Sequence, residues 1–385
     1  MRYVVLVLTL ILWAAAPACT TAETRPSPAV VDGVESDEER LWRWSAAEQE
    51  VLDGSRFLYP DNVLNNYLEQ IAKRLQPPEV WAQMPFKVKV LKNPHLNAFA
   101  FPNGALYIHT GILARMDNEA QLAALLGHEM THCTHRHALR TFRYVRNRTL
   151  LRTGVGESEV ESAGLGTLGL RISRSGYSQK FETEADLVGL QLMINAGYDP
   201  REALKLFDHL KRELEAENLK EPFFFGSHPS LRKRIENCEN FLKNTYEKGW
   251  HATENSEVFL MNTREVILQN AWLDLKAGRF QPAQRGAEKY LKSAPNEARP
   301  YYLLGEILRQ RGEEDDAEKA KAFYEKALSL NPFYPDIYKA IGLLYYKEGK
   351  KALAKRSFET CLSLTPHRRD EAYILAYLKA CKSVK

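Results

Sequence analysis

The sequence predicts an α+β domain, mostly helical with a small sheet, followed by an all-α solenoid of repeated helix pairs. Three observations predict it. His128-Glu129-Met130-Thr131-His132 sets two histidines four apart within a run of helix formers, Glu119 to Gly127. Phe86 to Leu91 alternates like a strand, and Pro102-Asn103-Gly104 marks a turn between two more. The last third repeats, with Pro295, Pro332 and Pro366 spaced 37 and 34 residues apart.

Taken in chain order, residues 1–18 have the layout of a secretory signal. Arg2 supplies the positive start, Val4 to Ala16 the apolar run, and Ala16-Pro17-Ala18 the small-residue cleavage site. Cys19 follows at once, where a bacterial lipoprotein carries its lipid; simple secretion is the alternative. Residues 19–36, rich in Thr, Pro and Ser, read as a flexible tether. No later run is apolar enough to span a bilayer, so a lipid anchor is the expected membrane link.

Residues 37–250 read as the α+β domain. Residues 37–76 hold amphipathic helices, then come the strands, then the histidine motif. Residues four apart share a helix face, so His128 and His132 can reach one metal ion. Glu129 then lies beside that ion, placed to take a proton from water. A zinc hydrolase needs a third protein ligand and an open position. A third histidine six residues on is excluded, because that position is Ala138. His135 lies a turn too far along, and His137 points off the ligand face and reads as an outer-shell or solvated group. The helix Glu182 to Met193, stopped by Gly197 and Pro200, offers a carboxylate instead. Glu182 and Asp186 share a face, so Glu182 is assigned as ligand and Asp186 as the acceptor that orients a liganding imidazole. Glu184 points elsewhere. Residues 154–176, rich in Gly and Ser, read as a lid or linker.

In this order the motifs are specific. Asn97 to Gly104, Leu106 to Leu113, the His128 motif with Arg136-His137, and Glu182-x-x-Ala185-Asp186 closely resemble the HtpX and CAAX-prenyl-protease family of zinc metallopeptidases, from about Asp37 to about Asn240. The resemblance implies a zincin-type fold, one Zn2+ on His128, His132 and Glu182, Glu129 as catalytic base, and a role for Asp186. Gln179 departs from it, since many relatives carry Arg there. His228-Pro229 and Arg234 also match: soluble relatives carry a His-Pro in this place. That makes His228 a candidate for closing the open zinc position or facing substrate, and His228 and Arg234 candidates for holding the oxyanion. A zincin also has an edge strand, here Asn97, Ala98 and Phe99, to which an extended peptide can add by backbone hydrogen bonds.

Residues 264–385 read as three tetratricopeptide repeats with a capping helix at 369–381. Gly342, Ala354 and Cys361 take the small-residue positions of the last repeat, and Tyr345 and Phe358 the large ones. Stacked repeats form a concave face for partner proteins, with Tyr301, Tyr302, Tyr338 and Tyr373 as candidates to line it. The net charge of +4 is well mixed, with no basic cluster interleaved with aromatics, so nucleic acid is excluded as a partner. Five cysteines in 385 residues are not a disulfide scaffold, and Cys361 and Cys381 are expected to be unlinked.

Together these readings lead to the expectation of a zinc metalloendopeptidase in the periplasm, tethered to the outer membrane through Cys19. It would cleave unfolded or misassembled envelope proteins, with the repeats recruiting substrates or the outer-membrane assembly machinery. The competing class is a non-proteolytic chaperone or assembly adaptor with a structural or self-blocked zinc site. Glu129 argues against it, because a structural site has no use for a general base.

Overall fold

The computed structural model describes residues 36–153, 177–216, 231–245 and 252–382. The signal segment, Cys19, the tether, the Gly/Ser-rich stretch 154–176 and His228-Pro229 lie outside the described residues.

Local chemistry starts the helices where the sequence places them. Helix α1 (Asp37–Asp53) opens on a capping box: Ser36 accepts from the Glu39 N–H, and the Glu39 carboxylate accepts from the Ser36 N–H at 2.8 Å. Helix α2 (Asn62–Leu75) is capped by Asp61 and buries Leu64, Leu68, Ile71 and Leu75 along one stripe. A short α3 (Pro78–Gln83) leads to β1 (Lys87–Leu91). Strand β2 (Ala98–Ala100) turns at Pro102-Asn103-Gly104 into β3 (Ala105–His109). Gly104 has φ +90°, a conformation that costs glycine little. The sheet order is β1-β3-β2, with β1 parallel and β2 antiparallel to β3. Among the described residues, β2 is therefore an edge strand.

Helices α4 (Thr110–Arg115), α5 (Glu119–Thr134) and α6 (His137–Thr153) follow, then α7 (Gln179–Asn195), α8 (Glu202–Ala216) and α9 (Leu231–Thr245). Nearly every residue of α5 is buried, so it runs through the centre of the domain with core on all sides. Helix α7 lies against it at unusually close range. A Cβ on Gly189 would stand 3.0 Å from the His128 nitrogen, and one on Gly127 would stand 3.1 Å from the Gly189 oxygen. The two glycines face each other and let the backbones touch.

The solenoid consists of α10 (Ser256–Lys276) with α11 (Phe280–Ser293), α12 (Ala298–Arg311) with α13 (Asp316–Leu330), and α14 (Pro335–Lys347) with α15 (Lys351–Leu364). Helix α16 (Glu371–Lys382) caps it. Gly342 sits against the ring of Phe358, and Ala354 and Cys361 are fully buried beside it. Tyr302 is not on an open face: it is buried against Trp272 and Tyr334, with ring centroids 5.5 and 5.1 Å away. Cys361 and Cys381 are free thiols.

The boundary expected at 264 falls inside α10. Phe259 and Val266 belong to the core of the first domain, while Leu268, Ala271 and Leu275 belong to the first repeat. One continuous helix thus serves both cores, which a repeat period cannot reveal. Among the described residues no helix is long and apolar enough to cross a membrane.

Candidate metal centre

The contact of α5 with α7 sets Glu182 beside the two motif histidines. The Nε2 atoms of His128 and His132 are 3.1 Å apart. Glu182 Oε2 lies 3.4 Å from the first and Oε1 lies 3.5 Å from the second. Among the described residues, these three side chains form the only such group of metal-donor residues, and all are buried. A tetrahedral zinc with bonds of about 2.0–2.1 Å has ligand atoms about 3.3–3.4 Å apart. The three spacings bracket that edge.

The outer hydrogen bonds fix which nitrogens face inward. His128 Nδ1 donates to Asp186 Oδ1 at 2.9 Å, which leaves Nε2 as the acceptor nitrogen. His132 Nδ1 is 2.9 Å from His137 Nδ1, and His137 Nε2 is 3.3 Å from Glu184 Oε2. Burial, with His135 and Arg140 nearby, lowers the His137 pKa to about 3, so its ring is neutral and can accept from His132. With both rings neutral, as metal ligation requires, the inward nitrogens are acceptors turned toward each other and toward a carboxylate. Two acceptors cannot bond each other, and a cation between them satisfies all three groups. Burial disfavours a charged His128, but the Asp186 and Glu182 carboxylates outweigh burial and raise its pKa to about 9. The cluster attracts positive charge, whether proton or metal. The donor set therefore fits zinc.

Glu129 occupies the next position on α5 and is buried. Burial, reinforced by Glu182, raises its pKa to about 7, while the Ala100 N–H donates to its carboxylate and opposes the rise. A carboxyl poised near neutrality can both take and return a proton.

Two sequence expectations change here. Arg234 does not face the open side of the site. It lies behind His128, where Nε donates to Asp186 Oδ2 at 2.9 Å and Nη2 to Oδ1 at 2.5 Å, with its guanidinium over the Phe207 ring. Burial raises a carboxyl pKa, but Arg234 and His128 outweigh it and hold Asp186 ionised. The contacts found for Arg234 are with Asp186 and His128, on the side of the ring away from Glu182, and there it keeps Asp186 charged. The edge-strand assignment shifts by one residue. Phe101 N donates to Ala105 O and His109 N to Asn97 O, so Asn97, Phe99 and Phe101 spend their backbone groups on β3. The outward groups are those of Ala98 and Ala100.

Glu184 was read as pointing elsewhere, yet it meets His137, with Arg140 3.5 Å away. Tyr177 stacks on His132 at 4.1 Å, and Phe181 on His137 at 4.4 Å. The sequence offered only a weak signal for these: Tyr177, Phe181 and Glu184 lie close together around the start of α7.

Comparison with known proteins agrees with this geometry. Residues 62–241 match the family described as Peptidase family M48, and residues 298–334 and 335–368 match the tetratricopeptide repeat. The chain is 31% identical over 194 residues to mitochondrial metalloendopeptidase OMA1 of Schizosaccharomyces pombe, covering 49% of this chain and 56% of that protein. It is 30% identical over 201 residues to the beta-barrel assembly-enhancing protease of Escherichia coli K12, covering 49% of this chain and 41% of that protein. The chain thus spans about half the length of the curated relatives it matches. A crystal structure of MamA is 18% identical with a TM-score of 0.25, too low to assign a fold, over 44% of this chain and 90% of that one. The family that the motifs resemble is thus the one whose model matches residues 62–241, Peptidase family M48, with matches to the tetratricopeptide repeat after it in the same chain.

Proposed function

We propose that this chain is a zinc metalloendopeptidase that cleaves unfolded or misassembled envelope proteins in the periplasm, attached to the outer membrane by a lipid on Cys19. The observation that carries the catalytic reading is the convergence of His128 Nε2, His132 Nε2 and Glu182 at tetrahedral spacing, with buried Glu129 on the same helix. His128, His132 and Glu182 would hold the metal. Zinc there would supply Lewis-acid polarisation of a scissile carbonyl and acidify a water.

The chain's own residues do the rest. Asp186 and Arg234 lock the His128 ring, and His137 with Glu184 locks the His132 ring, so neither turns as charge develops. Glu129 takes the proton of the attacking water and gives it to the leaving amine nitrogen. An extended peptide adds to the outward N–H and carbonyl of Ala98 and to the carbonyl of Ala100, whose N–H already donates to Glu129, which selects unfolded segments rather than one side chain. His228 is assigned to the open side of the metal, as a resting block or a substrate contact. The repeats recruit substrate proteins or the outer-membrane assembly machinery. The similarity to a beta-barrel assembly-enhancing protease supports that substrate class.

The test is cleavage of an unfolded outer-membrane β-barrel protein by the wild type and by Glu129→Gln. The wild type should cleave it, and the variant should keep its metal and lose cleavage. Equal activity of the two would remove Glu129 from the mechanism, and inactivity of both would favour an adaptor.

A further inference from the structure

We propose that Arg279, on the first repeat, is a positioning residue for the edge strand that receives the substrate, so that the repeats help to shape the peptidase site as well as recruit partners. The inference rests on the peptidase reading above. It starts from a buried polar network between the two parts of the chain. Arg279 Nη2 donates to the carbonyl of Pro94 at 2.9 Å, four residues before β2 starts at Ala98. The same guanidinium is paired with Asp274, which is fully buried. Asp274 also accepts from Asn270 at 2.9 Å and from Arg115 at 3.0 Å. Asn270 in turn meets the hydroxyl of Thr110 at 2.9 Å.

These contacts grip the open end of the strand pair, where β2 begins and β3 finishes. Thr110 directly follows β3, and its hydroxyl lies 3.0 Å from the Asn93 carbonyl. Gly111 donates its N–H to the same carbonyl at 2.9 Å, and a Cβ there would stand 2.3 Å from the Pro94 oxygen. Residues 93–96 are therefore clamped between α4 and the first repeat, immediately before the strand whose Ala100 N–H reaches Glu129. A peptide that adds to Ala98 and Ala100 takes its register from that strand. If residues 93–96 slacken, the scissile bond shifts relative to Glu129, and small misplacements of reacting groups are costly.

The experiment compares the wild-type protein, Arg279→Met, which keeps the stem and removes the donors, and Arg279→Lys, which restores one. An extended unfolded peptide and a short peptide that does not reach the strand serve as substrates. Zinc content, melting temperature and amide hydrogen exchange are measured alongside. Arg279→Met should lower kcat/KM for the extended peptide about tenfold, mainly through kcat, and leave the short peptide within about twofold. Exchange should accelerate over residues 93–101 only, with zinc content unchanged, and Arg279→Lys should recover most of the loss. Wild-type kinetics and wild-type exchange in Arg279→Met would overturn the proposal, as would faster exchange spread evenly over the peptidase domain. If the wild type cleaves neither peptide, the proposed activity fails by itself, and exchange at 93–101 still decides whether Arg279 holds the strand.

Discussion

Replacing Gly189 with alanine should damage the metal site without touching a ligand. The added Cβ would stand 3.0 Å from the His128 nitrogen, 3.2 Å from the Gly127 carbonyl carbon and 3.4 Å from the His128 Cα. All three are backbone atoms of a buried helix and cannot swing aside. Ordinary carbon contacts need about 3.5–4.0 Å, so α5 and α7 must part by roughly half an ångström or more. Glu182 is two turns before Gly189 on the same face, so it moves with the displacement. Metal sites tolerate ligand shifts of only about 0.2 Å. Zinc affinity should therefore fall at least tenfold, near the range seen when outer-shell partners are lost. Overpacking should cost about 1–3 kcal/mol of stability besides. Competition with a chromogenic chelator and thermal melting of the zinc-free protein measure the two effects separately. Wild-type zinc affinity together with a wild-type melting temperature would refute the close-packing argument.

Three further outcomes are expected. Asp186→Asn should weaken zinc binding about 10–100-fold, read by the same competition assay, because it frees the His128 ring and leaves Arg234 without its counter-charge. A chain ending at Thr263 should melt early and be cut readily by added protease, because α10 is severed within the core it shares. A chain ending at Pro295 should stay folded and zinc-loaded, and equal behaviour of the two would contradict the shared helix. Burial acts to raise the Glu119 pKa, but bonds from Tyr198, Asn255 and Tyr67, with Arg74 nearby, outweigh it and hold the carboxyl below its usual range. Since the folded pKa is the lower one, its stabilisation is complete above the ordinary carboxylate pKa of about 4.3 and is lost as pH falls through the folded value. Glu119→Gln should flatten the acid limb of stability against pH, and an unchanged slope would count against this cluster.

The five acidic and histidine positions of the site were legible because helical spacing is a local rule. His128 with His132, and Glu182 with Asp186, each follow from residues four apart on one face. What the spacing could not supply was the pairing between elements. Arg234 looked like a free cation near the site, but it is spent on Asp186, 48 residues earlier in the chain. Glu184 faces off the ligand stripe of its own helix, yet α6 brings His137 to it. Tyr177 precedes its helix and carries no periodic signal, though its ring covers His132. The strand was visible as a turn between apolar runs, but which of its residues faced outward depended on the register with β3. The repeats were legible from their period. Their attachment was not, because the buried Asn270 and Asp274 are held by Thr110 and Arg115 of the first domain, a pairing no local pattern reveals.

Metal analysis of the purified protein tests the central claim most directly. The wild type should carry one zinc per chain, bound through two nitrogens and a carboxylate oxygen at about 2.0–2.1 Å by X-ray absorption. The variant with His128, His132 and Glu182 all changed to alanine should carry none, and Glu129→Gln should carry as much as the wild type. Stoichiometric zinc in the triple variant would contradict the account.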